Sequence, residues 1–393
     1  MNTSWIKTKG KTFDPIQLKV AYQKQYNATA KQDYSGQAPN IFVGKYGYPN
    51  INVGILNTEQ YTQNDEPLLW SKNNTQIPEI IGLRTQLVNS YFKTSIHSFD
   101  DKMIQMAQEI SQSIKPVDVE INLEQKPQFK LTLNQEAAPH GPNTKLKKAE
   151  LTENPSIPHA IDKTVSDTDL KATSGLEQLW KKGYDEHTLT KLLTVGNLGL
   201  KKNRKLVPTR WGITAVHSTI GNILVKTIKE FEQYDYAAYF GGYLGNYYML
   251  LFFPEPWQYE LFETIIVESM PFSTNYEPYD GRKEYAHETA GGFYTVRMGC
   301  LEKLKILQKQ ASALALRFIN PSEYVAPLGV WVTLEATRKA LATQPLLFSS
   351  KNLMLQYINI FVKKKFGLEI SSIIKNSIIL KNLKEQKKLH EFN

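Results

Sequence analysis

The sequence has little cysteine and no long apolar run. Its 393 residues include one cysteine, Cys300, so the chain cannot form an internal disulfide or supply the several thiolates of a structural zinc site. No stretch of about 18 apolar residues occurs, and the N-terminal residues carry lysines where a signal peptide has its apolar core. The sequence therefore predicts a cytoplasmic protein without a membrane span.

The chain also lacks the strong basic bias of a dedicated nucleic-acid module. It has 47 Lys and Arg against 38 Asp and Glu, a formal net charge of +9, which is a mild excess. Much of that excess lies in residues 351–393, where nine lysines stand against three acidic residues. This tail either contacts phosphates or presents the solvated lysine face of a helix, and the sequence leaves both open.

Hydrophobic periodicity predicts an α+β fold, a mixed α/β globule with short strands, a β-hairpin and a long helix in the C-terminal region. Cys300 falls on the apolar face of that long helix and is predicted to be a packed core residue. The predicted helices are 77–92, 100–114, 166–182, 186–195, 213–231 and 288–318, with short helices through 335–365. The predicted strands are two around a tight turn in 41–56, a hairpin of 117–123 with 129–133, buried strands at 236–242 and 247–254, and one at 328–334.

A dense polar cluster precedes the predicted long helix, with YDGRKEY at 279–285 followed by HETAGG. A helix N-terminus has free N–H groups and partial positive charge that bind anions, so a phosphate site is predicted here, with His287 donating or accepting a proton. The structural alternative is a helix cap together with an Asp280–Arg282 ion pair. The candidate phosphate-binding residues are Asp280, Arg282, Lys283 and Thr289.

A second basic and aromatic group lies in RKLVPTRW, where Arg204, Arg210 and Trp211 precede a predicted helix. Trp211 is suited to stack on a base while Arg210 contacts phosphate. The slightly favoured interpretation is that Trp211 anchors the core and Arg210 is a buried ion-pair partner. Lys45, between two glycines in GKYG, is a weaker phosphate-binding candidate because the loop lacks the spacing of a P-loop.

Several blocks of the sequence, taken together and in order, resemble the archaeal Nre family of DNA repair proteins. The blocks span about residues 40–335, and each of them is short. They are NIFVGKYGYPNINVG, TENPSIPHAID, RKLVPTRWGITAV, GGYLGNYYMLLFFPEPW, YDGRKEYAHETAGGFY and APLGVW.

The resemblance implies a role in DNA damage repair and a division of the chain. The implied parts are an Nre-like N-terminal domain at 40–270 and an Nre-like C-terminal region at 277–345, while composition predicts a flexible polar arm at 1–39 and a basic tail at 346–393. The chain lacks the four-cysteine element that members often carry near the N-terminus, and His217 stands where the family leads us to expect an acidic residue. Neither a zinc-dependent role nor an activity needing that acid is therefore expected.

The last eight residues, QKKLHEFN, resemble the peptide by which proteins dock on PCNA, the replication sliding clamp. Gln386, Leu389 and Phe392 fit its pattern of glutamine, aliphatic and aromatic residues, whereas Asn393 replaces the second aromatic. Leu389 and Phe392, three apart, share one side of a helical turn and can enter an apolar pocket. The tail is therefore predicted to bind the clamp, the alternative being an incidental lysine-rich end.

The leading hypothesis is a repair factor that docks on PCNA and binds DNA or a nucleotide, with no cofactor, no metal and no membrane. A hydrolase, such as a phosphoesterase using Arg210, Arg282 and His287 around one phosphate, is the enzymatic alternative. A non-catalytic adaptor between the clamp and another repair protein is the third. The sequence contains no GxSxG elbow and no HExxH motif, so it identifies no catalytic residue beyond the candidates Arg210, Arg282 and His287.

Overall fold

The computed structural model divides the chain into two compact units, each with its own core. The first comprises residues 1–220 with 326–328, and the second comprises 221–325 with 329–393. The structure describes residues 6–8, 11–13, 30–128, 141–267, 269, 271–289 and 291–385.

The centre of the first unit is a closed five-stranded barrel. Its strands follow one another around the barrel in the order β3, β4, β5, β7, β6, and the barrel closes through antiparallel pairing of β6 with β3. Only β5 and β7 pair in parallel. The barrel strands are β3 (Asp33–Val43), β4 (Asn50–Thr58), β5 (Val88–Ser95), β6 (Val117–Leu123) and β7 (Asn143–Leu151), and the ribbon β1 (Ile6–Thr8) with β2 (Lys11–Phe13) precedes them.

The chain reaches β6 from β5 through a helix, α3, whose apolar side packs against the barrel core. A five-stranded Greek-key barrel with this strand order and a helix between its third and fourth strands has the topology of the OB fold. The helices of this unit are α1 (Pro67–Lys72), α2 (Ile77–Thr85), α3 (Lys102–Gln112), α4 (His159–Ser166), α5 (Ala172–Lys181), α6 (Glu186–Thr194) and α7 (Thr209–Ile228), the last crossing the boundary between the units.

Period-two alternation explains which side of each barrel strand faces inward. On β4, Ile51, Val53 and Ile55 are fully buried in the barrel core, while Asn52 between them is exposed. The same pattern predicts β6 correctly, but its predicted hairpin partner at 129–133 lies outside the described residues. β3 begins at Asp33, within the segment predicted as a flexible polar arm. The prediction missed this start because the outward-facing residues of the strand are polar.

The predicted helix 77–92 is wrong in its second half. The helix ends at Thr85, and residues from Val88 onward form β5. The apolar residues of this run are spaced so that they fit the helical period of 3.6 residues as well as the strand period of 2. Short apolar runs of this kind do not distinguish a helix from a strand. The predicted helices 100–114 and 186–195 match the observed Lys102–Gln112 and Glu186–Thr194 to within about two residues. The predicted helix 166–182 matches at its end, but the observed helix begins only at Ala172.

The second unit contains a six-stranded mixed sheet in the order β12, β11, β14, β10, β9, β15. One face packs on the C-terminal helices through Met354, Ile358 and Val362. Its strands are β9 (Tyr236–Tyr243), β10 (Asn246–Phe253), β11 (Tyr259–Ile265), β12 (Phe272–Glu277), β14 (Ser312–Ile319) and β15 (Leu346–Phe348), and a separate pair is formed by β8 (Glu232–Gln233) with β13 (Lys309–Gln310). The helices are α8 (Gly292–Leu307), α9 (Trp331–Leu341), α10 (Lys351–Phe366), α11 (Ser371–Asn376) and α12 (Ile378–Glu385).

The buried strands predicted at 236–242 and 247–254 are confirmed, and they pair antiparallel across Leu244-Gly245, whereas the helix 288–318 and the strand 328–334 are wrong. The helix ends at Leu307, with Gln308 in the left-handed conformation, and a strand follows from Ser312. That strand is buried on both faces, so its near-continuous apolar run resembles a buried helix. A helix also stands where the strand near Trp331 was predicted. The α+β class itself is confirmed.

Cys300 is confirmed as a core residue, since it is 1% exposed in α8. Burial raises the pKa of its thiol well above the ordinary value, and the thiolate is the reactive form. We expect a thiol reagent such as dithionitrobenzoate to label no cysteine in the folded protein and one after unfolding in urea. Rapid labelling without urea would show that the α8 core opens readily.

Within the described residues, no helix is both long and apolar enough to span a membrane.

Candidate nucleic-acid interface

The loop between β3 and β4 presents two tyrosines to solvent. The loop is closed by the Gly44 N–H donating to Asn52 O at 2.8 Å and the Asn50 N–H donating to Gly47 O at 2.8 Å. Gly47 has a φ of 83°, and a Cβ there would lie 2.6 Å from Asn50 O, so the turn requires glycine. With the backbone fixed in this way, Tyr46 is 76% exposed and Tyr48 is 42% exposed.

The start of α7 lies beside this loop in the same unit. The Val43 N–H donates to Thr209 Oγ1 at 2.9 Å, which joins the end of β3 to the first residue of the helix. The rings of Tyr48 and Trp211 have centroids 5.3 Å apart, a distance at which aromatic pairs attract. The loop and the helix start therefore form one surface.

The interpretation of Trp211 as a core anchor and Arg210 as a buried ion-pair partner is wrong. Trp211 is 47% exposed and Arg210 is exposed. Both lie in the first turn of α7, and the sequence around a helix start does not reveal which side of that turn the rest of the fold covers. The reading in which Trp211 stacks and Arg210 contacts phosphate is the one compatible with this exposure.

Two cations accompany the three rings. The Lys45 Nζ lies 5.1 Å from the centroid of the Tyr46 ring, and Arg210 follows Thr209 at the start of α7. We call Lys45, Tyr46, Tyr48, Arg210 and Trp211 the aromatic-basic surface. Exposed rings beside cations that project from a rigid scaffold are the combination that stacks on bases and contacts phosphates.

Arg204 does not belong to this surface. Its guanidinium donates to the carbonyls of Gly199 at 2.9 Å, Val165 at 2.7 Å and Asp167 at 3.4 Å, and burial lowers its pKa. It therefore fastens the chain after α6 to the end of α4, which is a structural role.

The polar cluster at 279–289 forms a loop organised by Arg282. The Arg282 guanidinium donates to the carbonyl oxygens of Tyr276 at 2.7 Å, Glu284 at 3.0 Å and Tyr285 at 3.2 Å, and it lies 5.6 Å from the centroid of the Phe293 ring. The sequence alternative was an ion pair of Arg282 with Asp280, but the partners of Arg282 are these backbone carbonyls. A guanidinium committed to three carbonyls has little capacity left for a phosphate.

Replacing Arg282 by alanine is expected to loosen this loop. Loss of the three hydrogen bonds should make opening easier by about 1–3 kcal/mol, and so speed amide hydrogen exchange in residues 279–289 roughly 5- to 150-fold. Lys283→Ala, which changes an exposed neighbour, is the matched control and should leave exchange unchanged. Equal exchange in both variants would contradict the organising role of Arg282.

The start of α8 is already surrounded by the protein's own polar groups. The N–H and hydroxyl of Thr289 both donate to Asn275 Oδ1, at 2.9 and 2.8 Å. A Cβ on Gly292 would lie 2.2 Å from Glu263 Oε1, which places a carboxylate against the first turn of the helix. Phosphate binding there stays a prediction, and this carboxylate argues against it.

Several other side chains of this loop face solvent, although Ala286 is buried. His287 is exposed, with its ring centroid 5.0 Å from that of Tyr285, and Tyr279 lies 3.7 Å from the Lys229 Nζ. Lys283 and Asp280 are exposed as well. Of the three residues suggested for hydrolysis, Arg210 belongs to the first unit, and Arg282 and His287 to the second.

The basic tail is partly structured as α10, α11 and α12. Lys363 forms an ion pair with Glu369 at 2.7 Å, and the Lys365 Nζ lies 5.4 Å from the centroid of the Phe240 ring, so these lysines are partly engaged within the unit. A cleft of about 730 Å³ is lined in part by four further lysines, Lys351, Lys375, Lys381 and Lys384. Gln386, Leu389 and Phe392, the predicted clamp-binding residues, lie outside the described residues.

No group of three or more His, Cys, Asp or Glu side chains suited to a metal ion occurs in the part of the chain that the structure describes.

Comparison with known proteins gives a consistent result along the chain. The family model described as archaeal Nre, N-terminal, matches residues 10–271, and archaeal Nre, C-terminal, matches residues 277–392. DNA repair protein NreA of Haloferax volcanii is 33% identical over 340 residues, covering 81% of each chain. DNA repair protein NreA of Archaeoglobus fulgidus is 36% identical over 326 residues, 79% of this chain and 81% of the relative. DNA repair protein NreB of the same organism is 29% identical over 379 residues, 93% of each. No solved structure matches.

Proposed function

The chain belongs to the archaeal Nre family, and from that premise we propose that it acts in DNA repair, binding DNA through the aromatic-basic surface and docking on PCNA through its C-terminal peptide. Its relatives are named as DNA repair proteins. The observation that carries the DNA-binding part is the contact between the exposed rings of Tyr48 and Trp211, with Tyr46 and Lys45 on the same loop as Tyr48 and Arg210 next to Trp211 in the chain.

Three exposed aromatic side chains on one loop and the adjacent helix start favour a binding role. A Tyr or Trp ring supplies a large, rigid contact area at low entropic cost, and here the exposed Tyr48 and Trp211 rings lie against each other while the exposed Tyr46 belongs to the same loop as Tyr48. Phosphates are attracted by Lys45 and Arg210, while the rings stack on bases of any sequence. The surface therefore fits a nucleic acid better than a small nucleotide, for which the fold would need an enclosing pocket.

Salt dependence tests the phosphate contact of Arg210. Binding of DNA should weaken as salt rises because counterions are released, and Arg210→Ala should reduce the slope of log affinity against log salt by about 1. The matched control is Lys148→Ala, an exposed cation of the same barrel that pairs with Glu150 at 2.6 Å. An unchanged slope in Arg210→Ala, or equal changes in the two variants, would remove Arg210 from the interface.

Clamp docking rests on the C-terminal peptide and is tested by calorimetry. Cognate PCNA is titrated with the intact chain, with a chain ending at Lys384, and with the double variant Leu389→Ala, Phe392→Ala. We expect weak binding by the intact chain, on the order of micromolar, because Asn393 replaces one aromatic anchor. Binding should disappear in both altered chains. Retained binding in either would show that another surface meets the clamp.

A further inference from the structure

We propose that the aromatic-basic surface is one end of a longer groove for single-stranded DNA, which continues across the outward side of β4 and β5. This inference rests on the proposed function and names the form of DNA that the surface takes. We call Asn52, Tyr91, Lys93 and Lys145 the outer β4-β5 face.

The pairing of the strands places these four side chains next to one another. Asn52 on β4 is the register partner of Lys93 on β5, and Tyr91 is the partner of Lys145 on β7. Paired residues of adjacent strands lie on the same side of a sheet and about 5 Å apart. The four positions therefore form a strip across three strands.

Alternation turns this strip toward solvent. Val53 and Phe92, the chain neighbours of Asn52 and Lys93, belong to the buried core of the barrel, so Asn52 and Lys93 point away from it. Both are exposed, and Tyr91 is partly exposed. The strip is continuous with the aromatic-basic surface through β4 itself, because Asn50 and Asn52 directly follow the loop that carries Tyr46 and Tyr48.

The charge of the barrel differs between its two sides. The outward residues of the β3-β6 side include Asp33, Asp118 and Glu120, which are register partners or neighbours in that pair of strands. The outer β4-β5 face instead carries Lys93 and Lys145, the latter in an exposed ion pair with Glu124 at 2.6 Å. A phosphate backbone is therefore disfavoured on the first side and finds Lys93 on the second, which favours the outer β4-β5 face as the direction in which a strand leaves the loop.

The rings require unpaired bases. In a duplex the base faces are stacked on one another, so Tyr46, Trp211 and Tyr91 would find only edges and sugars. In a single strand each base offers a free face, and barrels of this topology bind oligonucleotides on the face of their second and third strands and on the loop between the first and second. Here those elements are β4, β5 and the Tyr46 loop.

The test compares fluorescence anisotropy of labelled DNA with the full chain. The probes are a single strand of about 12 nucleotides, within the roughly 4–16 that one such barrel spans, and the corresponding blunt duplex. We expect the single strand to bind at least tenfold more tightly. The double variant Tyr91→Ala, Lys93→Glu should weaken single-strand binding at least tenfold, whereas Lys148→Glu, the control on the acidic side of the barrel, should leave it within about twofold.

The outcomes separate this inference from the proposed function. Equal affinity for duplex and single strand, or full single-strand affinity in the Tyr91→Ala, Lys93→Glu variant together with loss in Trp211→Ala, would overturn the groove and leave DNA binding at the aromatic-basic surface intact. No binding of either probe by the unaltered chain would overturn both. Circular dichroism melting of each variant shows whether a loss of binding is caused by unfolding. If the variant Tyr91→Ala, Lys93→Glu is unfolded, single-strand binding is measured with Lys93→Ala instead.

Discussion

Replacing Arg297 by leucine is expected to lower the free energy of unfolding by about 3–5 kcal/mol. The Arg297 guanidinium donates to Glu277 at 2.8 and 3.0 Å, and both side chains are 4% exposed. Glu277 also accepts from Trp257 Nε1 at 3.1 Å, and Arg297 donates to Asn222 at 3.1 Å. Without the guanidinium, a carboxylate would stay buried and uncompensated beside the core of the second unit.

Urea unfolding followed by tryptophan fluorescence measures this loss. The double variant Arg297→Leu, Glu277→Leu should recover part of the lost free energy of unfolding. The loss in the single variant comes mainly from the buried Glu277 carboxylate that is left without a partner, rather than from the missing ion pair. The matched control is Lys309→Leu, which breaks the exposed Lys309–Glu232 pair and should move the unfolding midpoint little. If Arg297→Leu unfolds at the same urea concentration as the control, the buried network does not stabilise the unit as described.

Replacing Trp211 by alanine is expected to have the largest effect on DNA binding. A base stacked on one aromatic side chain contributes about 1–3 kcal/mol, so affinity should fall roughly 5- to 150-fold. The change also removes the ring against which Tyr48 packs, which lowers the order of the loop. Trp211→Phe keeps an aromatic face and should retain most of the affinity.

The second exposed loop supplies the matched control for Trp211. Tyr279 is 45% exposed, close to the 47% of Trp211, and also lies beside a cation, Lys229. Tyr279→Ala should leave DNA affinity nearly unchanged if the barrel carries the interface. A larger loss in Tyr279→Ala than in Trp211→Ala would transfer the interface to the 279–289 loop.

The sequence predicted the barrel best where burial is one-sided. Val117, Val119 and Ile121 alternate with polar residues, and β6 is found where they are. The secondary-structure prediction was wrong where a strand is buried on both faces, as in β14. It was also wrong where one apolar run contains a helix and then a strand, as from Ile77 to Phe92. A run without alternation carries no period that separates the two structures.

The candidate site was predictable in its residue types but not in its grouping. The sequence identifies Lys45 and Trp211 separately, 166 positions apart in the chain, and the contacts that join their segments, Val43 with Thr209 and Tyr48 with Trp211, are visible only in the structure. Arg204 and Arg282 have the residue type of phosphate ligands, yet their guanidinium groups hold backbone carbonyls. Sequence composition does not distinguish an arginine that binds a ligand from one that holds a loop.

Photo-crosslinking identifies the residues at which DNA contacts the protein. A single strand containing 5-bromodeoxyuridine is irradiated in complex with the full chain, and the crosslinked peptides are identified by mass spectrometry. If the barrel surface binds DNA, we expect crosslinks at Tyr46, Tyr48 or Trp211, and also at Tyr91 if the strand follows the outer β4-β5 face. Crosslinks confined to Tyr279 and Tyr285, or to the tail beyond Lys351, would show that DNA binds elsewhere than on the barrel surface.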